Sequence, residues 1–306
     1  MKIRHGLTER VGPPVVVAIG FFDGYHLGHR EIVRTLLRLR KPGYRAAVLT
    51  FRNHPTAFLR PGDEPALIAT TEERINALAE AGIEELYLLP FDASLASLTP
   101  QAFIADVLHA TLHARAIVVG ENFRYGKGRA GGIDDAAAQL SALGVTFVAV
   151  PNLKHDGTRV SSTRVREALL QGQVELVNAL LGASYSIEGR VVLGAGRGHD
   201  LGFPTANLAV SPEKLLPKDG VYSVVARHDG RDYRGLVSIG TNPTFDGARR
   251  TVEVWIHDFN RSIYGDALVI RDMCFVREQR RFASADELRE QMVADAAAVA
   301  FPTLSP

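Results

Sequence analysis

Five short apolar runs in the first half of the chain alternate with longer segments of helical pattern. The runs read VVVAI from Val15, RAAVLTF from Arg45, ELYLLPF from Glu85, RAIVVG from Arg115 and VTFVAV from Val145. Runs that are apolar on both faces are typical of parallel strands covered by helices on both sides. The alternation therefore predicts an α/β domain with a doubly wound parallel sheet, whose ligands bind beyond the carboxyl ends of the strands.

The second half of the chain changes to a β pattern after Gly182. Asp229-Gly230 is a strong hairpin signal, and frequent glycine and proline residues favour a small barrel or sandwich. A helix returns at the end, where Ser284 and Glu287 have the spacing of a capping box. We predict two domains, residues 1–182 and 183–306. The strand-like stretches of the second are YSIEGRVVL, VYSVVARH, YRGLVSIG, TVEVWIHDF and ALVIRDMCFV.

Charge and cysteine content limit the partners and the compartment. A formal net charge of +1 over 306 residues gives no global attraction to nucleic acid or to a membrane surface. Cys274 is the only cysteine, which excludes an internal disulfide and fits a reducing compartment. The opening MKIRHGLTERVGPP has no apolar signal core, and no stretch of about 18 apolar residues occurs. We predict a cytoplasmic protein, and the sequence is silent on its oligomeric state.

The stretch AIGFFDGYHLGHREIV from Ala18 places two histidines where the first strand turns into the following helix. His26 and His29 are three residues apart, so both imidazoles lie on one face of the first turn, where backbone N–H groups lack intrahelical partners. Such a helix start binds phosphate well, and the neighbouring glycines let a ligand approach the backbone. From the residues alone, solvated histidines near the helix cap or a metal pair are the alternatives, although no third metal ligand accompanies them.

Several motifs together resemble one enzyme family. GFFDGYHLGH is similar to the signature of the nucleotidyltransferase superfamily, whose HxGH histidines bind ATP phosphates. VGENFRYGKGRAGG from Val119 and SSTRVREAL from Ser161 resemble later adenylyltransferase motifs of the bacterial bifunctional riboflavin kinase/FAD synthetase family. LGFPTANL, GLVSIGTNPTF and TVEVWIHDF resemble the riboflavin kinase domain of the same family, and all motifs occur in the family's order.

The resemblance implies a fold and a pair of reactions. The fold is a Rossmann-like nucleotidyltransferase domain with a parallel sheet, followed by a riboflavin kinase β-barrel with a terminal helix. The kinase phosphorylates riboflavin to FMN with MgATP, and the first domain transfers AMP from MgATP to FMN, giving FAD and pyrophosphate. The implied partners are riboflavin, FMN, FAD and ATP, and the implied cofactor is Mg²⁺.

In the first domain, the resemblance implies that His26 and His29 stabilise charge on the ATP phosphates. Asn122 would contact the nucleotide or the FMN phosphate, and Arg166, favoured over Arg164, would hold the leaving phosphates; a solvated charge is the alternative for each arginine. Phe51 and Phe58 would stack on the flavin, although a core role fits their context equally. The implied phosphate-binding set is Gly20, Phe22, Asp23, Gly28, Asn122, Ser162, Thr163, Arg164 and Arg166.

In the second domain, Glu253 lies between two valines on a strand, so alternation turns its side chain away from theirs. The resemblance implies that Glu253 is the general base for the ribityl 5′-hydroxyl, and a solvent-facing strand glutamate is the alternative. Thr205 and Asn207 alternate by two, so both oxygens face one side, and oxygen ligands suit Mg²⁺. The implied ATP-binding set of the kinase is Gly196, Arg197, Gly202, Pro204, Thr205 and Asn207.

Two positions depart from the family pattern. His199 stands where an arginine is common, which lowers the expected charge of the kinase phosphate loop near neutral pH. Asn53 stands where a proline is usual, and we expect it to loosen the loop of the first domain that contains it. Two other hypotheses are a single-activity adenylyltransferase and a non-enzymatic flavin sensor; two complete phosphate-transfer residue sets argue against the sensor.

Overall fold

Six parallel strands form the main sheet of the first unit, residues Met1–Ser162 of this computed structural model. In chain order they are β1 (Lys2–Arg4), β2 (Val15–Ile19), β3 (Arg45–Phe51), β4 (Glu85–Leu89), β5 (Ala114–Gly120) and β6 (Thr146–Val150). They lie in the order β1-β4-β3-β2-β5-β6, and every pairing is parallel. The five predicted runs thus form β2 to β6, and the doubly wound sheet is confirmed.

The structure describes residues 1–7, 12–193, 204–241, 250–280 and 282–298. The predicted kinase phosphate-loop residues Gly196, Arg197 and Gly202 lie outside the described residues, as does His199. Among the described residues, no helix has the length and apolarity needed to cross a membrane.

Two helices of the first unit begin at residues typical of a helix start. Thr70 and Glu73 form a reciprocal capping box at the start of one, and Thr99 caps a later one, with Pro100 at its first position. The helices are α1 (Leu27–Leu39), α2 (Pro55–Leu59), α3 (Thr71–Glu80), α4 (Ala93–Ala96), α5 (Pro100–Ala102), which continues as a π-helix over Phe103–Thr111, and α6 (Ile133–Ala142). A small hairpin pairs β7 (Lys154–His155) with β8 (Thr158–Arg159).

The alternate residues of β2 belong to two hydrophobic cores. Val15 and Val17 pack into one core and Val16 and Ala18 into the other, and all four are fully buried. A strand that is buried on both faces explains why VVVAI is uninterrupted by polar residues.

The second unit, Thr163–Pro306, is built around a closed antiparallel barrel. Its strands are β9 (Ile187–Val192), β10 (Thr205–Val210), β11 (Gly220–His228), β12 (Arg231–Thr241), β13 (Arg250–Ile256) and β14 (Ala267–Arg277), and its order is β10-β13-β12-β11-β14-β9. Helix α7 (Ser162–Leu170) and helix α8 (Val174–Leu181) precede the barrel, and α9 (Ala285–Ala298) follows it. Of the two predicted architectures, barrel and sandwich, the chain adopts the barrel.

The predicted hairpin joins β11 to β12 through Asp229 and Gly230, which have φ values of 48° and 74°. Two positive φ values are what a two-residue type I′ turn requires, so Asp-Gly sets the register of the β11–β12 pair.

The terminal helix is joined to the barrel by an ion pair. Arg277 on β14 pairs with the buried Asp295 on α9.

Candidate functional sites

The first site lies where the strand order of the parallel sheet reverses. After β2 the chain adds β3 and β4 on one side, and it then crosses to add β5 and β6 on the other. The carboxyl ends of β2 and β5 therefore flank the topological switch point, where open α/β sheets bind ligands. The loop with His26 follows β2 and Asn122 follows β5, so both predicted site segments lie at this edge.

His26 and His29 stack on each other at the start of α1. Their ring centroids are 3.7 Å apart with an interplanar angle of 14°. His26 is the N-cap, and its Nδ1 accepts a hydrogen bond of 3.3 Å from the backbone N–H of His29. Because Nδ1 is an acceptor, neutral His26 carries its proton on Nε2, where it can donate to a ligand.

The surroundings of His29 favour its neutral form. Burial lowers the pKa of His29 well below 6.5, and the neighbouring His26 and Arg74 lower it further. Within the described residues, its Nδ1 is buried without a hydrogen-bond partner, and its ring contacts Phe22 at 5.2 Å between centroids. His29 therefore offers an imidazole N–H donor without a positive charge.

Gly28 lies close against the His26 ring. A Cβ at residue 28 would lie 3.1 Å from the Cε1 atom of His26, tighter than ordinary van der Waals contact. The glycine predicted to admit a ligand therefore also leaves room for the imidazole of the cap.

Asp23 fastens the loop in this structure. Its buried carboxylate accepts hydrogen bonds from the backbone N–H groups of Ile68 and Ala69, at 3.2 and 3.0 Å. The backbone oxygen of Asp23 accepts a hydrogen bond of 3.1 Å from Ser162 Oγ. The carboxylate and the backbone oxygen of Asp23 thus both bond to protein. The bond to the backbone oxygen brings two predicted site residues, Asp23 and Ser162, together.

Gly20 and Phe22 can offer a ligand only backbone groups. The N–H of Gly20 donates to Leu49 O at 3.2 Å, and the Phe22 ring is 1% exposed. Phe22 has a left-handed backbone with φ 59°, which is uncommon for a bulky residue and is concentrated at functional sites.

Phe51 and Phe58 belong to an aromatic cluster with Phe91. The ring of Phe91 lies 5.3 Å from that of Phe51 and 6.1 Å from that of Phe58. Phe51 packs partly buried against the core, whereas Phe58 is 40% exposed. Phe51 therefore packs with the core and Phe58 presents an exposed ring, and flavin stacking stays a prediction for both.

Asn53 makes two hydrogen bonds that hold its loop, and whether the loop is looser than one with proline at this position stays a prediction. Its Nδ2 donates to Phe91 O at 3.0 Å, and its Oδ1 accepts from Phe91 N at 2.9 Å. The side-chain amide imitates a strand pairing that a proline ring cannot form. The loop after β3 is thereby joined to the segment after β4.

The remaining adenylyltransferase residues lie in the loop after β5 and on α7. Asn122 is exposed, and its Nδ2 donates to Asn152 Oδ1 at 2.9 Å. Thr163, Arg164 and Arg166 follow Ser162 along α7 and belong to the second compact unit.

The predicted kinase residues form a row on the outside of the barrel. Asn207 on β10 is directly paired with Glu253 on β13, and Thr205 with Trp255. Val252 and Val254 are buried while Glu253 is partly exposed, so the predicted alternation along β13 holds. On the other side of β13, Ser238 of β12 pairs with Glu253, and its Oγ accepts a hydrogen bond of 3.0 Å from Gln279. Pro204 lies exposed immediately before β10.

The donor set of this row suits Mg²⁺ rather than a transition metal. Within the described ranges, no cluster of three or more His, Cys, Asp or Glu residues could enclose a metal. Asn207 and Thr205 offer neutral oxygens beside the Glu253 carboxylate. Mg²⁺ prefers oxygen ligands and commonly keeps waters and substrate phosphates in its shell, so few protein ligands suffice.

Sequence reasoning missed two residues that shape the first site. Phe91 and Arg74 are far from the recognised motifs along the chain, and each acts through hydrogen bonds that only the folded sheet creates. The capping box at Thr70 fixes the start of α3, and this was the one available signal near Arg74.

Comparisons with known proteins match both units. Residues 9–164 match the family model for FAD synthetase, and residues 181–301 match that for riboflavin kinase. Bifunctional riboflavin kinase/FMN adenylyltransferase from Bacillus subtilis is 37% identical over 95% of this chain and 93% of its own length. The protein of the same name from Escherichia coli is 35% identical over 95% of this chain and 93% of its own.

A solved structure has a similar fold over nearly the whole chain. The crystal structure of a protein named macrolide-efflux protein from Streptococcus pneumoniae superposes with a TM-score of 0.88, is 34% identical and covers 97% of both chains. The likeness extends through both the parallel sheet and the barrel.

Proposed function

Because the chain belongs to the bifunctional riboflavin kinase/FMN adenylyltransferase family, we propose that its histidine site performs adenylyl transfer and its Asn207–Glu253 row performs riboflavin phosphorylation. The enzyme converts riboflavin to FMN and FMN to FAD, with ATP as the second substrate in both steps. We assign residues 1–182 to the second of these reactions and 183–306 to the first.

In adenylyl transfer, an oxygen of the FMN phosphate attacks the α-phosphorus of ATP, and the bond to pyrophosphate breaks. The FMN phosphate is already a nucleophile, so the protein contributes positioning and hydrogen bonds to the charge that develops on phosphate oxygens. We assign these bonds to Nε2–H of His26, to His29 and to the free backbone N–H groups at the start of α1. Asn122, Ser162, Thr163, Arg164 and Arg166 are proposed to hold the nucleotide and the leaving phosphates.

In riboflavin phosphorylation, Glu253 accepts the proton of the ribityl 5′-hydroxyl as the oxygen attacks the γ-phosphorus and ADP leaves. An alcohol is a poor nucleophile at neutral pH, so this proton transfer is the step for which a carboxylate is needed. Asn207 lies beside the base on the neighbouring strand, and we assign it and Thr205 to the ATP phosphates and Mg²⁺. When bound, Mg²⁺ neutralises phosphate charge and orients the phosphates.

The observation that supports two separable reactions is that each set of residues lies on its own elements, the loop between β2 and α1 in one case and strands β10 and β13 in the other. The test uses His29→Asn and Glu253→Gln, with FMN and FAD separated by chromatography. His29→Asn should abolish FAD formation and leave FMN formation largely intact. Glu253→Gln should lower the rate of FMN formation about 10²- to 10⁴-fold, while added FMN is still converted to FAD. Loss of both activities in either correctly folded variant would refute the separation.

We also propose that the protein acts in the cytoplasm with small-molecule partners alone. The single cysteine and the composition support this assignment. Fractionation of cells followed by immunodetection of the chain tests the location directly.

A further inference from the structure

Arg74 is a fully buried cation in α3 whose guanidinium bonds the loops at the ends of two strands. It is 2% exposed. Its Nη1 donates to Phe21 O at 2.7 Å and to Thr50 Oγ1 at 3.3 Å. Its Nη2 donates to Phe51 O at 3.1 Å and to Thr71 Oγ1 at 3.2 Å. One planar group thus joins the loop after β2 to the end of β3.

The bond to Phe21 determines where the next backbone N–H points. The described chain contains no cis peptide, so the C=O of Phe21 and the N–H of Phe22 point in opposite directions. Phe21 O accepts from both Arg74 and Thr50 Oγ1, the latter at 3.2 Å, which turns the carbonyl toward the interior. The N–H of Phe22 therefore points away from Arg74, and within the described residues it makes no hydrogen bond to protein.

The side chain of Phe21 is fixed by the same arginine. The guanidinium carbon of Arg74 lies 4.1 Å from the centre of the Phe21 ring, and the ring of His54 contacts Phe21 edge-on at 4.7 Å. Two independent contacts, one to the carbonyl and one to the ring, thus hold the residue that precedes the left-handed Phe22.

Hydrogen bonds also hold the start of α3, so the Arg74 side chain extends from a fixed position. Thr70 and Glu73 close a capping box at 3.2 and 2.6 Å. The preceding residues Ile68 and Ala69 donate to the Asp23 carboxylate, on the loop that carries the histidines. The start of α3 and the Arg74 side chain thus both contact the loop after β2 that carries the histidines.

We propose that Arg74 is a positioning residue for adenylyl transfer, which aims the Phe22 N–H and the adjoining histidine turn at the ATP phosphates while fixing the end of β3 that carries the aromatic cluster. The inference rests on the proposed function of His26 and His29. Through Nη1 and Nη2, Arg74 sets the distance between the loop after β2 and the end of β3, where Phe51 meets the aromatic cluster. Reactions between two bound substrates depend steeply on such distances.

The Arg74→Lys substitution separates this role from a merely structural one. Lysine keeps the positive charge and the contact with the Phe21 ring, but it cannot donate from one rigid plane to two carbonyl groups. A structural role would be largely satisfied by lysine, whereas a positioning role would not. Thr50→Val, a nearly isosteric change, removes one arm of the same network.

The experiment measures kcat and KM for FAD formation from added FMN and ATP in Arg74→Lys, Thr50→Val and wild type, at a temperature where each is fully folded by circular dichroism. Riboflavin kinase activity of the same preparations is the internal control. We expect Arg74→Lys to lower kcat for FAD formation about 10- to 100-fold, the cost of a misplacement of about 1 Å, with a smaller change in either KM. Thr50→Val should lower kcat less, and the kinase kcat should stay at the wild-type value.

Wild-type kcat for FAD formation in Arg74→Lys would overturn the inference, as would an equal loss in the kinase reaction. His29→Asn, assayed beside them, keeps the two proposals apart. If His29→Asn still forms FAD, the histidine site itself is wrong; if it does not and Arg74→Lys is unimpaired, only the role of Arg74 is wrong.

Discussion

Asn207 stands directly opposite Glu253 across the antiparallel pair of β10 and β13. Side chains paired in this way have Cβ atoms about 4.5–5.5 Å apart, so amide and carboxylate are within reach of one ligand. The neighbouring pair, Thr205 with Trp255, continues the same face. The strand register therefore brings together the two motifs of the kinase, which are separated by more than forty residues along the chain.

Asn207 and Glu253 should act as one unit in riboflavin phosphorylation. We expect Asn207→Ala to lower kcat/KM for FMN formation strongly in the wild-type background and much less in a Glu253→Gln background, because effects of residues that serve one step are not additive. Initial rates of FMN formation for the four enzymes of this cycle give the coupling.

The matched control is Glu188→Gln, the same chemical change at an exposed glutamate on strand β9 of the same barrel. Its kinase rate should equal that of the wild type. Additive losses in the Asn207 and Glu253 cycle would contradict a shared site.

The stability of the protein should depend on pH because His29 is neutral in the folded state. Burial, with smaller contributions from His26 and Arg74, lowers the pKa of His29 well below 6.5. Below about pH 6.5 the unfolded chain therefore binds a proton that the folded chain does not, and stability falls as the pH drops from there toward the lowered pKa. The slope for one proton is at most about 1.4 kcal/mol per pH unit.

His29→Asn removes this proton, so its melting temperature should fall less than that of the wild type between about pH 7 and pH 5.5. Differential scanning calorimetry of both proteins across this range provides the comparison. Since all other titrating groups are shared, parallel curves would mean that His29 is protonated equally in both states.

The parts of the fold that the sequence predicts are those with a local signal. Thr70 caps its helix and Asp229-Gly230 forms its turn, and VVVAI shows its burial on both faces as an uninterrupted apolar run. β1 was not predicted, because this strand at the edge of the sheet has only three residues, KIR, and no apolar run.

Contacts made only by tertiary structure could not be predicted in the same way. Asn53 is 38 residues from Phe91, and Arg74 is 53 residues from Phe21. No periodicity or spacing relates such pairs. Asn53 is an example: a missing proline is visible in the sequence, whereas the two hydrogen bonds of its side chain are not.

Phe58→Ala should weaken FMN binding, whereas Phe51→Ala should lower the stability of the protein. Phe58 is exposed at the edge of the aromatic cluster, so Phe58→Ala should raise KM for FMN in FAD formation by about 2- to 10-fold, as expected for a lost stacking contact of about 0.5–1.5 kcal/mol, with little change in stability. Phe51 packs against the core, so Phe51→Ala should lower the free energy of unfolding by about 2 kcal/mol or more.

Leu59→Ala controls for the loss of any exposed apolar side chain from α2, because Leu59 is 52% exposed next to Phe58. Its KM for FMN should match the wild type. Equal KM increases for Phe58→Ala and Leu59→Ala would assign the effect to the helix rather than to the aromatic ring.

Asn53 should be needed for flavin binding because it holds the aromatic cluster through Phe91. Asn53→Ala removes hydrogen bonds of 3.0 and 2.9 Å, each worth about 0.5–1.5 kcal/mol, and frees the segment that carries the Phe91 ring. We expect a higher KM for FMN in FAD formation, lower stability and an unchanged kinase rate. Asn178→Ala is the matched control, since it removes an amide that accepts from Tyr185 N at 2.7 Å in the other unit; it should lower stability without changing KM for FMN.

Asn53→Pro tests whether the residue usual in the family can replace this pairing. Proline would restrict the backbone, yet it supplies neither the donor nor the acceptor that Phe91 uses here. The KM for FMN of Asn53→Pro should therefore be raised, as in Asn53→Ala. A KM at or below the wild-type value would mean that a stiff backbone at position 53, rather than the bonds to Phe91, keeps the loop in place.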